Sequence, residues 1–222
     1  LFMAIFVWAL GGAGRSPAGI SLGDFLAPGL MIMAVLQNAF QNPTSSILIA
    51  KVNGSIVDVL MPPLSAGELV VGYVVGGVVR GLTVGGVLWL VFAVWPGVGV
   101  SPVQWWAVIY YAVAAAVFMS LFGILTAVWA DKFDHAAAIS NFVVVPLSLL
   151  SGTFYTIDRL PEVLRAFADF NPFFYVIDGF RYGFIGRADG DLIVGIVLTM
   201  TLNVALWLLA YTVFRTGYKL KA

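Results

Sequence analysis

Several long, uninterrupted apolar runs fix what this chain can become. An α-helix rises 1.5 Å per residue, so about 20 apolar residues cross the roughly 30 Å of bilayer hydrocarbon. The runs over about 69–95, 103–130 and 192–214 exceed that length and hold a single charge, Arg80. Closed β-barrels also span membranes, but they read as short alternating strands, and these runs do not alternate. Composition agrees, since charged residues make up 10% of the chain where a soluble domain carries about 25%. The fold class is an all-α membrane protein.

One domain over residues 1–222 follows, with spans at about 1–10, 24–49, 69–95, 103–130, 136–154 and 192–214. The first run, LFMAIFVWAL, would cover only about 15 Å, so this span is read as truncated and the chain as lacking its natural N-terminus. Asn53-Gly54 and Pro62-Pro63 break the segment between the second and third spans around a short apolar stretch, which fits one surface helix. Placing the tail RTGYKLKA in the cytoplasm puts all four lysines on the inner face, although the basic residues as a whole divide five against five. The eleven basic and eleven acidic residues cancel, leaving no nucleic-acid footprint. The absence of cysteine removes disulfide and thiolate chemistry.

Residues 151–186 break the apolar pattern with ten aromatic rings and seven charges. From Pro161, the residues Val163, Leu164, Phe167 and Phe170 recur at helical spacing, with Glu162, Arg165 and Asp169 opposite. That spacing predicts a short amphipathic helix, ended by Asn171-Pro172. A second piece, FFYVIDGFRYGFIG, holds Phe173, Phe174 and Tyr175, sets Asp178 three residues before Arg181, and stops at glycine. Neither piece is long enough to cross. Two half-depth helices within 157–186 are expected at the outer surface with their rings at headgroup level, serving either as an anchoring belt or as a lid over a conduit.

The run LLSGTFYTIDRLPEVLRAFADFNPFFYVIDGFRYG resembles the C-terminal signature of ABC-2 type permeases, the membrane halves of a class of ATP-driven exporters. GSIVDVLMPPLSAGELVVGY resembles the same family's loop between the second and third spans, and GGVVRG a pattern of its drug and polysaccharide exporter branch. Val57 stands where relatives usually place a carboxylate, leaving Asp58. The resemblance implies a six-helix, type V exporter-like permease with re-entrant or interfacial helices between the fifth and sixth spans. It also implies a permease homodimer in the bacterial plasma membrane with a cytoplasmic C-terminus. Two copies of an ABC ATPase subunit would sit beneath it and bind the ATP and magnesium, with no cofactor held by this chain.

A phosphate-binding loop would need lysine followed by serine or threonine in a GxxxxGK frame, and no such frame occurs. The engine is therefore expected on another chain, and force is expected to enter through 54–68, with Asp58, Pro62, Pro63 and Glu68 as the coupling residues. Arg80 lies within the third span, where a lipid-facing guanidinium would cost at least about 2.5 kcal/mol. It either ties down neighbouring carbonyls or faces an anionic head group. Gly72, Gly76, Gly81 and Gly85 around it form a smooth stripe for close helix packing. Gln37, Asn38, Gln41, Asn42 and Ser45 share a broad face of the second span, suited to interhelical hydrogen bonds or to lining a conduit. Asn141, Pro146 and Ser148 make a similar set in the fifth span, with a kink expected at Pro146. Asn203 reads as structural, and His135 beside Asp131 and Asp134 as a solvated helix end rather than a metal site.

An ion-coupled secondary transporter is the competing class, but it normally places a titratable residue within its spans. All eleven acidic residues fall at span ends or in loops. An intramembrane enzyme is weaker still, for no catalytic constellation sits at membrane depth. The substrate is not legible; amphipathic drugs, glycolipids and polysaccharides all fit the resemblance.

Overall fold

The computed structural model describes residues 21–95, 98–151 and 171–219. In order come α1 (Leu22–Val52), α2 (Ile56–Leu60), α3 (Ala66–Val94), α4 (Trp105–Trp129), α5 (Phe133–Ile139), a π-helical turn (Ser140–Val144), α6 (Val145–Leu150), α7 (Pro172–Ile185) and α8 (Leu192–Thr216). Among the described residues, five stretches are long and apolar enough to cross a membrane: α1, α3, α4, the run from α5 through α6, and α8. They overlap the ranges 24–49, 69–95, 103–130, 136–154 and 192–214; the end of the range 136–154 and the whole of 1–10 lie outside the described residues.

Local chemistry sets the helix boundaries. Ser21 opens α1 by accepting the Asp24 N–H at 3.1 Å. Ser65 and Glu68 form a reciprocal capping box at the start of α3, satisfying two donors that a helix N-terminus otherwise leaves bare. Asn171 caps α7, with Pro172 in its first turn, and Asp191 caps α8. Gly186 (φ 75°) and Gly217 (φ 70°) close those two helices in the left-handed region, where a side chain would be strained.

The helices differ sharply in how much they bury. In α1, 61% of the most apolar window is buried and in α4 50%, against 17% for α3, 17% for the α5–α6 run and 11% for α8. The pair α1 and α4 is therefore the hub, with α3 and α7 packed on both and α8 on α4. Pro43 shows how the hub is joined. It has no N–H to give Ala39 four residues back, and the Ser120 hydroxyl of α4, which donates to Ala116 at 2.7 Å, reaches that free carbonyl at 3.3 Å as a second acceptor.

Small residues let α3 approach α1. A Cβ added at Gly77 would lie 2.9 Å from the Ala39 carbonyl, and one at Gly81 3.0 Å from that of Val35, so any side chain would force the backbones apart. The expected stripe needs one correction: Gly72 has nothing within 4 Å, and Gly77 takes its place. The discontinuity expected at Pro146 is the π-helical turn just before it, which relieves the clash between the proline ring and the preceding turn.

The largest correction concerns α7. Phe173, Phe174, Asp178 and Arg181 are all buried, and the helix packs against α4, α1 and α8 rather than lying on the surface. Its fit depends on Gly179, where an added Cβ would fall 2.2 Å from the Tyr111 ring. Phe167 and Phe170, in the first expected half-helix, lie outside the described residues.

Candidate functional site

The connector between α1 and α3 combines a firm base with an open outer surface. Ile56 is buried in a cluster with Ile47, Val70 and Val128, which seats α2 on the bundle. Asp58, Pro62 and Pro63 are exposed, and so are Val57 (53%) and Met61 (75%), an apolar surface with a carboxylate at its centre. Glu68 is exposed too, but its carboxylate accepts the Ser65 N–H at 2.7 Å and the Ser65 hydroxyl at 2.8 Å. Its role at this joint is to fix how the chain enters α3.

Lys51 braces the connector from behind, a role the sequence reading did not assign. Its ammonium donates to the carbonyls of Ala127 (3.2 Å), Val128 (2.8 Å) and Ala130 (2.7 Å) and lies 3.8 Å from Asp131. These carbonyls end α4, where the helix leaves acceptors unsatisfied and favours a cation. Lys219 reaches the Trp129 carbonyl at 3.4 Å. The connector, the α4–α5 turn and the end of α8 thus meet at one end of the bundle. A lysine in the last turn of a membrane-spanning helix was the available signal. In the same turn, His135 Nδ1 accepts the Asp131 N–H at 3.4 Å.

A second feature lies at mid-span. Gln37 is the middle residue of α1, and Gln41 is exposed, while Gln37, Asn38, Asn42 and Ser45 are half-buried. These amides turn away from the hub formed by Ala39, Phe40, Thr44 and Ile47 on the same helix. Asn38 donates to its own helix at Ala34 (3.0 Å); among the described residues, no hydrogen bond links Gln37, Asn38, Gln41 or Asn42 to another helix. Interhelical bonding falls to other residues. The Thr44 hydroxyl is shared between Phe40 on its own helix (2.6 Å) and Gly123 on α4 (3.1 Å), Tyr111 donates to Leu192 at 3.2 Å and Asn203 to Ala114 at 3.2 Å. The structural reading of Asn203 holds.

Arg80 is exposed on α3 and makes no hydrogen bond or ion pair among the described residues, so it ties down none of their carbonyls. In the fifth span Asn141 is exposed, but Ser148 is buried and donates to the Val144 carbonyl at 2.7 Å. Ser148 is therefore withdrawn from the open face. In α7, Asp178 accepts the N–H groups of Asp189 (3.0 Å) and Gly190 (3.0 Å). The Arg181 guanidinium sits 4.0 Å above the Phe25 ring, a cation–π contact; Tyr175 is half-buried beside Phe174. A cavity of about 150 Å³ above the hub is lined by apolar groups including Met31, Leu82, Trp89 and Phe180 and offers no reactive side chain.

Residues 1–185 match the family model described as ABC-2 type transporter. The chain is 34% identical over 222 residues to the inner membrane transport permease YadH of Escherichia coli K12, covering 100% of this chain and 86% of that protein. It is 26% identical over 175 residues to nodulation protein J of Rhizobium leguminosarum bv. viciae, covering 76% of this chain and 65% of that one.

Proposed function

The chain belongs to the ABC-2 type transporter family, as a non-catalytic membrane subunit of an ABC transporter, and from that premise we propose an outward-moving permease for an amphipathic substrate. Two copies form the conduit, and two ATPase subunits bind ATP and magnesium beneath them. The connector and the C-terminus face the cytoplasm, where the exposed surface of Val57, Asp58 and Met61 receives the ATPase. Substrate passes along the open amide face of α1.

The observation that carries this reading is the row Gln37, Asn38, Gln41 and Asn42 at the centre of a span, half-buried or exposed and without a hydrogen bond to another described helix. Amide groups facing hydrocarbon would be left without partners, so a wet path between two copies accounts for them. Ion coupling has no support from the residues, because the middle of each described span lacks Asp, Glu and His. Reconstitution tests the proposal. Transport should require the ATPase partner and ATP; transport driven by an imposed proton gradient without that partner would rule the reading out.

A further inference from the structure

Arg80 is the middle residue of α3, fourteen positions from Ala66 and fourteen from Val94. Helix packing fixes what lies beside it. Gly77 meets Ala39 and Gly81 meets Val35 across the antiparallel pair, while a Cβ at Gly76 would lie 3.0 Å from the Asn42 amide nitrogen. One turn onward along α3, and one turn back along α1, sets Arg80 at the level of Asn38. That register puts Arg80 on the side of α3 that Gly76 turns to Asn42, level with the amide row of Asn38, Gln41 and Asn42.

Among the described residues, no carboxylate stands beside it as a counter-charge. The described acidic residues of the spanning helices stand in first turns, far from mid-span: Asp24, Glu68 and Asp134. Residues 1–20 contain no acid. A second copy would bring the same described helices, again with no carboxylate at mid-span. A guanidinium at that depth costs at least about 2.5 kcal/mol when it faces lipid.

We propose that Arg80, with Asn38, Gln41 and Asn42, binds an anionic group on the transported molecule: a phosphate, carboxylate or sulfate. This rests on the permease reading above. Guanidinium presents a planar fork of donors that matches such oxyanions, and carboxamides add further N–H groups.

The test uses the full permease with its ATPase partner in liposomes and two probes of equal chain length, decyl phosphate and decyl glucoside. ATP hydrolysis should reach half-maximal stimulation at about tenfold lower decyl phosphate, the scale of one charge-assisted hydrogen bond. Arg80→Gln should erase that preference by weakening the phosphate response alone, and Arg80→Lys should restore part of it. Asn38→Leu should lower the preference less than Arg80→Gln does. Equal responses in the unmodified protein, a preference that survives Arg80→Gln, or an Arg80→Gln complex that falls apart on size-exclusion chromatography would each overturn the anion site. Hydrolysis that stays unchanged when the permease is added, with either probe, would overturn the permease reading as well.

Discussion

Two sets of polar side chains on α1 and its neighbours meet opposite fates. Thr44, Ser120, Tyr111 and Asn203 find carbonyls on adjacent helices and stitch the hub together. Gln37, Asn38, Gln41 and Asn42, within two turns of Thr44, make no hydrogen bond to any other helix described, although Asn42 lies against Gly76 of α3. The chemistry of the two sets is alike; what separates them is the side of the helix they occupy. A span that buries half of its surface against its own chain and leaves amides on the rest is built to meet something other than lipid. The inward set is therefore expected to affect stability, and the outward set transport.

The strongest way to break this contrast is to wedge the hub apart. Gly179→Val should destabilise the permease by about 3 kcal/mol through overpacking against Tyr111, read as a lower melting temperature in detergent. Lys51→Met leaves the end of α4 without its donor and should cost about 2 kcal/mol. It should also loosen the connector, measured as faster proteolysis between 52 and 65. Thr44→Val should lose about 1 kcal/mol with its interhelical bond, whereas Gln41→Leu should leave the melting temperature nearly unmoved and reduce transport. If Gln41→Leu destabilised as much as Thr44→Val, the two faces would not be distinct. The smallest stability effect is expected for Asp58→Ala, within about 0.5 kcal/mol as for other surface changes, with a clear fall in substrate-stimulated ATP hydrolysis.

The spans were legible because length and apolarity alone decide whether a helix can cross, and the observed helices fall close to the expected ranges. The outward amide face was legible too, since one helical period places Gln37, Asn38, Gln41 and Asn42 together. Ser148 was not, because the π-helical turn before it shifts the angular phase that relates it to Asn141. The depth of α7 was hidden for another reason. Its aromatics and charges read as an interface, but Asp178 is satisfied by backbone donors eleven and twelve residues on, and Gly179 admits Tyr111 from a distant helix. Among the adjacent glycines Gly76 and Gly77, composition could not say which would meet Ala39. Lys51 escaped notice because its acceptors are carbonyls, which every residue carries.

The central claim is that the outward face of α1 borders water rather than lipid. The sequence contains no cysteine, so single cysteines can report on each face without background. A charged, membrane-impermeant thiol reagent applied to the assembled transporter should label Gln41→Cys and spare Thr44→Cys, with the Gln41→Cys rate changing when ATP is added. A Gln41→Cys variant as inert as Thr44→Cys, in every nucleotide state, would mean that this face meets hydrocarbon and that the conduit lies elsewhere.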